Sequence, residues 1–308
     1  TIGLASFLAV IEYRWLKTNN PIFSELYKMW VKVFAICFGM GVVSGVVMSY
    51  QFGTNWSLFS DKVANVIGPL LGYEVLTAFF LESSFLGIML FGWNRVSKRM
   101  HFFSTCIVAF GTLLSAFWIM AANSWMQTPA GYRVGNNDIL FPTSWIEVIF
   151  NPSMIYRFSH MVIAAYLTTA FVVLGISGIY FIAKKSVDHA KIMMAMSVFL
   201  IAVMAPLQFI LGDQHGINTF KHQPAKIAAM EAQWETETRA PLRLFAIPQE
   251  KQEKNLFEIS IPALSSLIIT HEINGTIPGL KTWKTEDRPP VAVVFWSFRI
   301  MVGLGTLM

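Results

Sequence analysis

Two carboxylates, Glu74 and Glu82, lie in the run "LGYEVLTAFFLESSFLGIMLFGW" (71–93), apolar enough for a bilayer and free of basic residues. Eight residues apart on a helix, they are about 80° apart around the axis and about 12 Å along it, two turns apart on one broad face. A charge at the membrane centre costs at least about 2.5 kcal/mol, so an acid without a cation there keeps its proton. Such a carboxyl can accept and release protons or ligate a metal centre. The plainer alternative is two neutral acids hydrogen-bonded to neighbouring helices, but acids inside a membrane are functional by default.

His160, in "YRFSHMVIAAYLTTAFVVLG", lies near one end of another apolar run. A lone helical histidine is more often packed and hydrogen-bonded than a ligand. Met301, in "FWSFRIMVGLG", is one of 16 methionines, whose usual use is core packing. Together, however, a neutral imidazole and a thioether form an ordinary axial pair for low-spin haem iron. Arg299, two residues before Met301, could balance haem propionates. Ser115 in "LLSAFW" and Asn123 in "MAANSWMQTP" could extend a hydrogen-bonded proton route from Glu82, or serve equally as interhelical glue. His101 and His189 fall at helix edges, and His215, His222 and His271 in a polar segment. None of these five is assigned as a ligand.

The elements that must carry these residues follow from composition. Of 308 residues, 55% are hydrophobic and 13% charged, too apolar for an ordinary soluble domain. Runs at roughly 33–50, 66–92, 101–122, 157–183 and 192–211 approach or exceed the ~20 residues that span a bilayer core. They do not alternate as barrel strands would, and lipid offers backbone groups no partner except in helices. The expected fold class is all-α, a polytopic transmembrane helix bundle. Residues 1–12 read as the end of one span and 291–308 as the start of another, so the chain reads as a fragment of a longer membrane protein.

The net charge of +5 is explained by placement and does not indicate nucleic acid. The short segments 13–32, 94–100 and 184–191 hold ten Lys or Arg, whereas 51–65 and 124–156 hold only Lys62 and Arg133. Positive charge marks the cytoplasmic side, and the assignment alternates through five spans. Cys37 and Cys106 fall inside apolar runs, so no disulfide framework is indicated. Three parts result: transmembrane helices over 1–212, a long outer loop over 213–290 and a further span from 291. The outer loop holds 19 of the 41 charged residues. Within it, "KHQPAKIAAMEAQWETE" (221–237) predicts a short amphipathic helix with Pro224 in its first turn. Ile227, Met230 and Trp234 form its apolar stripe.

"QFGTNWS" (51–57), "FFLES" (79–83), "FGW" (91–93), "ANSWMQ" (122–127), "KIAAMEAQWET" (226–236) and "FWSFRIMV" (295–302) occur in this order along the chain. Together they resemble subunit I of the cytochrome bd quinol oxidases. The resemblance implies an enzyme of the bacterial cytoplasmic membrane that oxidises quinol, reduces dioxygen to water and contributes to the proton gradient. It implies a low-spin haem b, a high-spin haem b, and haem d or a third haem b. It also implies a subunit II and, in some members, small single-helix subunits.

By the same resemblance, His160 and Met301 match the axial ligands of the low-spin haem, and Arg299 the basic residue beside it. Lys226 and Glu231 match the quinol-oxidising residues of the outer loop, here of the shorter type. Glu74 and Glu82 match acids near the high-spin haems, with Glu74 close enough to ligate one. Ser115 and Asn123 match polar members of a proton path. A high-spin haem histidine and a Gly-Arg-Gln-Pro-Trp motif belong to the pattern and are expected outside residues 1–308. A proton-coupled transporter is the alternative from another class, but the inverted repeats and broken helices of such folds are not visible. A copper–haem oxidase would need several histidines on apolar runs, and only His160 lies well within one.

Overall fold

The computed structural model describes residues 1–307; Met308, the last residue of the expected final span, lies outside the described residues. Among the described residues, six helical stretches are long and apolar enough to cross a membrane: Pro21–Gly53, Ser57–Phe91, Lys98–Gln127, Met154–Ile182, Val187–His222 and Thr285–Leu307. The architecture is the expected α-helical polytopic bundle. The chain divides into two compact units, Thr1–Phe209 and the part from Ile210 onward.

The first unit runs through α1 (Ile2–Thr18), α2 (Pro21–Gly53), α3 (Ser57–Tyr73), a π-helical segment (Glu74–Phe79), α4 (Phe80–Phe91) and α5 (Lys98–Gln127). A small ladder of β1 (Tyr132–Val134) and β2 (Leu140–Pro142) follows, then α6 (Trp145–Ile149), α7 (Met154–Ile182) and the start of α8 (Val187–His222). The basic segment 13–32, expected as a loop, is helical except at Asn19 and Asn20. Asn19 takes the left-handed conformation, which asparagine tolerates. Asn20 then caps α2 by accepting from the Ile22 amide at 3.0 Å, with Pro21 in the first turn. Ser97 caps α5 in the same way, accepting from Met100 at 3.3 Å. The core of this unit gathers Leu8, Ile11, Trp30, Phe34 and Val108 from α1, α2 and α5. The Trp30 indole N–H donates to the Met193 sulfur on α8 at 3.2 Å.

The second unit continues α8 and holds α9 (Pro224–Met230), β3 (Glu237–Thr238), β4 (Leu242–Gln249), β5 (Lys254–Ile261), α10 (Leu264–Thr270), β6 (Thr276–Ile277) and α11 (Val291–Leu307). β3 pairs with β6, and β4 with β5, both antiparallel. The expected helix over 221–237 is shorter: α8 runs on to His222, and α9 stops at Met230, which leaves Trp234 beyond it. The cause is a Schellman ending. Ala232 is left-handed (φ 47), its N–H bonds the Ala229 carbonyl, and the Gln233 N–H bonds the Ala228 carbonyl at 2.8 Å. Trp234 still reaches the apolar core, where it joins Ala228, Ala229, Ala246, Leu280, Val291 and Phe295.

Candidate functional site

Glu74 opens the π-helical segment and Glu82 lies in the first turn of α4. A π segment bonds i to i+5 and is common at functional sites; its wider turn changes the angle accumulated between the two acids. Both meet α5. The Ser115 hydroxyl donates to Glu74 Oε1 at 2.7 Å. Glu82, 6% exposed, lies against Gly111, where an added Cβ would come within 2.5 Å of the Glu82 Cγ. Gly111 and Ser115 are four residues apart and so share one face of α5. Acids two turns apart in sequence therefore line one strip of the facing helix. Glu82 Oε1 is buried with no hydrogen-bond partner, and neither acid forms an ion pair among the described residues. Asn123 lies eight residues beyond Ser115 on α5, about 12 Å along the axis.

His160 is half-buried on α7, with its Nε2 3.1 Å from the Gln208 amide nitrogen on α8. Met301 lies on α11, 55% exposed. The two belong to different units. Imidazole and thioether are each donor types suited to low-spin haem iron.

In the second unit Glu231 is the C-cap residue that follows α9 at the Schellman ending, 4% exposed. Arg299 on α11 donates to its carboxylate at 2.7 Å. Burial pushes the Glu231 carboxyl above the ordinary carboxylate range, and the Arg299 guanidinium pulls it back only in part. Lys226 is half-buried within α9. Arg299 also donates to the Arg243 carbonyl at 2.6 Å, so the guanidinium assigned to a haem edge already bridges an acid and a strand.

One buried acid was missed by sequence reasoning. Glu12 on α1 is fully buried; its carboxylate lies 2.6 Å from His101 Nδ1 and accepts from the Thr105 hydroxyl at 2.6 Å. Tyr27 joins through Thr105 at 3.0 Å. The signal was available, since Glu12 closes an apolar run just as Glu74 and Glu82 interrupt one. His101 lies in the first turn of α5, at the helix edge where the sequence placed it, and is buried there as the partner of Glu12. Among the described residues, no group of three or more His, Cys, Asp or Glu could hold a metal ion.

Long apolar helices, two of their acids without an ion pair among the described residues, and a polar segment with a buried acid on an arginine define a polytopic membrane protein. The family model "Cytochrome bd terminal oxidase subunit I" matches residues 1–308, and the chain belongs to that family. It is 40% identical over 293 residues to the cytochrome bd-II ubiquinol oxidase subunit 1 of Escherichia coli, covering 94% of this chain and 57% of that protein. It is 36% identical to the cytochrome bd ubiquinol oxidase subunit 1 of Bacillus subtilis, covering 100% of this chain and 68% of the relative. The chain thus spans little more than half the length of the first relative. Among solved structures, the bd oxidase of Geobacillus thermodenitrificans aligns with a TM-score of 0.91 at 27% identity, over 99% of this chain and 70% of that one.

Proposed function

We propose that this chain belongs to the haem-carrying subunit of a respiratory oxidase in the bacterial cytoplasmic membrane, oxidising quinol and reducing dioxygen to water. Its family membership and the names of its relatives support the reaction class. The observation that carries the mechanism is the pair Glu74 and Glu82 on one strip of α5, without a cation. His160 and Met301 would hold a low-spin haem b, and Arg299 would be its basic neighbour. A high-spin haem b and a haem d, or a third haem b, would be the neighbours of Glu74, whose carboxylate would serve as a ligand to one of them. When bound, these groups carry electrons from quinol and reduce dioxygen.

The protein's part is protons and position. Quinol releases two protons as it gives up two electrons. Glu231 accepts one, and Lys226 donates a hydrogen bond to a quinone oxygen. Residues 213–290 lie on the outer side, so those protons leave there, while 1–212 and the span from 291 hold the helices. Reducing one dioxygen to two waters takes up four protons. Glu82 delivers them and is reloaded along Ser115 and Asn123. Each electron reaching a buried centre adds negative charge, and a proton beside it offsets that charge strongly at low dielectric. Subunit II and small single-helix subunits complete the assembly with membrane lipid.

The test is an absorption spectrum of the purified full-length oxidase, with quinol-driven oxygen uptake. Low-spin b and high-spin signals are expected, and His160→Ala should remove the low-spin signal alone. A protein without haem absorption, or a complete low-spin signal in His160→Ala, defeats the respective assignment.

A further inference from the structure

Arg243 lies on β4, and its carbonyl accepts the Arg299 bond. It is 6% exposed, a rare place for an arginine unless its charge is paired. Its guanidinium reaches four groups. Nη1 donates to the Gln233 side chain and lies 3.5 Å from the Glu231 carbonyl oxygen. Nε is 3.2 Å from Glu258 on β5, and Nη2 is 3.8 Å from Glu237 on β3. The side chain therefore ties the turn after α9 to two strands. A bulge follows Arg243, since Arg243 opposes Ser260 while Phe245 opposes Ile259, which leaves Leu244 as the extra residue. Bulges disrupt the ladder locally and re-aim groups beside functional sites. Here the Arg243 carbonyl takes the Arg299 Nε–H at 2.6 Å, and this turns Arg299 so that its Nη2 meets Glu231.

We infer that Arg243 is a positioning residue of the quinol-oxidising site: its guanidinium holds the chain that presents Glu231, and its carbonyl aims Arg299 at the Glu231 carboxylate. The inference rests on the reading of Glu231 as the quinol's proton acceptor. The charged groups around this centre are Arg299 from α11, Arg243 from β4, Glu237 from β3 and Glu258 from β5; α10 adds the uncharged Ser265, whose hydroxyl faces Glu231, and Lys226 lies on α9 itself. Lysine cannot replace Arg243, because a single ammonium lacks the planar fork that spans separate acceptors. Losing the aim by about 1 Å can cost up to ~100-fold in rate.

The experiment uses the full-length oxidase complex carrying Arg243→Lys, with Glu231→Gln and Glu258→Gln in parallel. The expected result for Arg243→Lys is full haem content, normal reduction by dithionite, and kcat/KM for quinol lower by about tenfold. The acid limb of its pH profile should move to higher pH, because Arg299 would offset the burial of Glu231 less well. Glu258→Gln loosens the same guanidinium while keeping the arginine, so a smaller shift in the same direction is expected. It decides the matter if Arg243→Lys does not assemble. Unchanged kcat/KM and pH profile in the variant that assembles would overturn the inference, as would loss of haem in both. Normal quinol turnover in Glu231→Gln would instead defeat the underlying reading. A dead Glu231→Gln beside a wild-type Arg243→Lys would sink the positioning role alone.

Discussion

Glu82 and Glu231 are almost equally buried, at 6% and 4% exposure, yet their surroundings are opposite. Glu82 rests on a glycine with one carboxyl oxygen unpartnered. Glu231 meets one arginine directly, with a second behind it. At Glu231 desolvation disfavours ionisation and a cation offsets it in part, whereas Glu82 has no cation beside it among the described residues. Burial therefore does not set a carboxyl's role; the partner does. In the proposed cycle the bare acid arrives carrying a proton and can give it, whereas the paired acid has a charged form stable enough to receive one.

The sharpest test is Glu82→Gln, which keeps shape and much of the hydrogen bonding but cannot cycle a proton. Oxygen consumption should fall by roughly 100-fold or more, the usual scale for losing acid–base catalysis, with haem and quinol binding retained. Normal consumption at full haem content would make Glu82 structural and collapse the contrast.

Glu231→Gln should come next. Quinol-driven turnover should drop by about 10- to 100-fold while dithionite still reduces the haems. The pH dependence carries the sign. An acceptor already protonated cannot take a proton, so wild-type kcat/KM should fall as pH drops through a value above the ordinary carboxylate range. A wild-type acid limb at ordinary carboxylate pH, or the same limb surviving in Glu231→Gln, would place the titrating group elsewhere.

Gly111→Ala probes the contact without touching an acid. Its methyl would sit 2.5 Å from the Glu82 Cγ, so the carboxyl must shift. Overpacking of this kind costs about 1–3 kcal/mol. Oxygen uptake should fall by several-fold through displacement of Glu82, with the thermal midpoint lowered. Unaltered uptake would show that the position of Glu82 on α5 does not matter.

Glu12→Gln is the control and should have the smallest catalytic effect. Glu12 is as buried as the other two but fully hydrogen-bonded, to His101 and Thr105. Its loss should lower thermal stability by about 1–3 kcal/mol, the cost of disturbing a buried hydrogen-bonded group, and leave turnover per haem unchanged. A large fall in turnover would place this cluster in the proton route as well.

The membrane architecture was legible because bilayer thickness demands long apolar helices, and the sequence carries them openly. Its errors lay where short-range rules compete. The 13–32 segment reads as a basic loop because Arg14, Lys17, Lys28 and Lys32 interrupt the apolar pattern, yet Asn19 and Asn20 alone suffice to turn the chain. The end of α9 was hidden because the left-handed position is filled by Ala232, not by the glycine that usually announces it. The β4–β5 hairpin was missed because its turn, "EKQE", lacks glycine and is closed by Glu253 at φ 49.

By itself the sequence determined the spanning helices, the presence of acids within them and the chemistry on offer at His160, Met301 and Arg299. These depend on composition and local spacing, which a linear reading contains. Only the tertiary structure decided which acid has a partner. Arg299 and Glu231 are 68 residues apart, Arg243 reaches them from a bulged strand, and Glu82 finds Gly111 across a helix contact. Charge compensation in a medium of low dielectric acts over a few ångströms of space, and sequence separation says almost nothing about that distance.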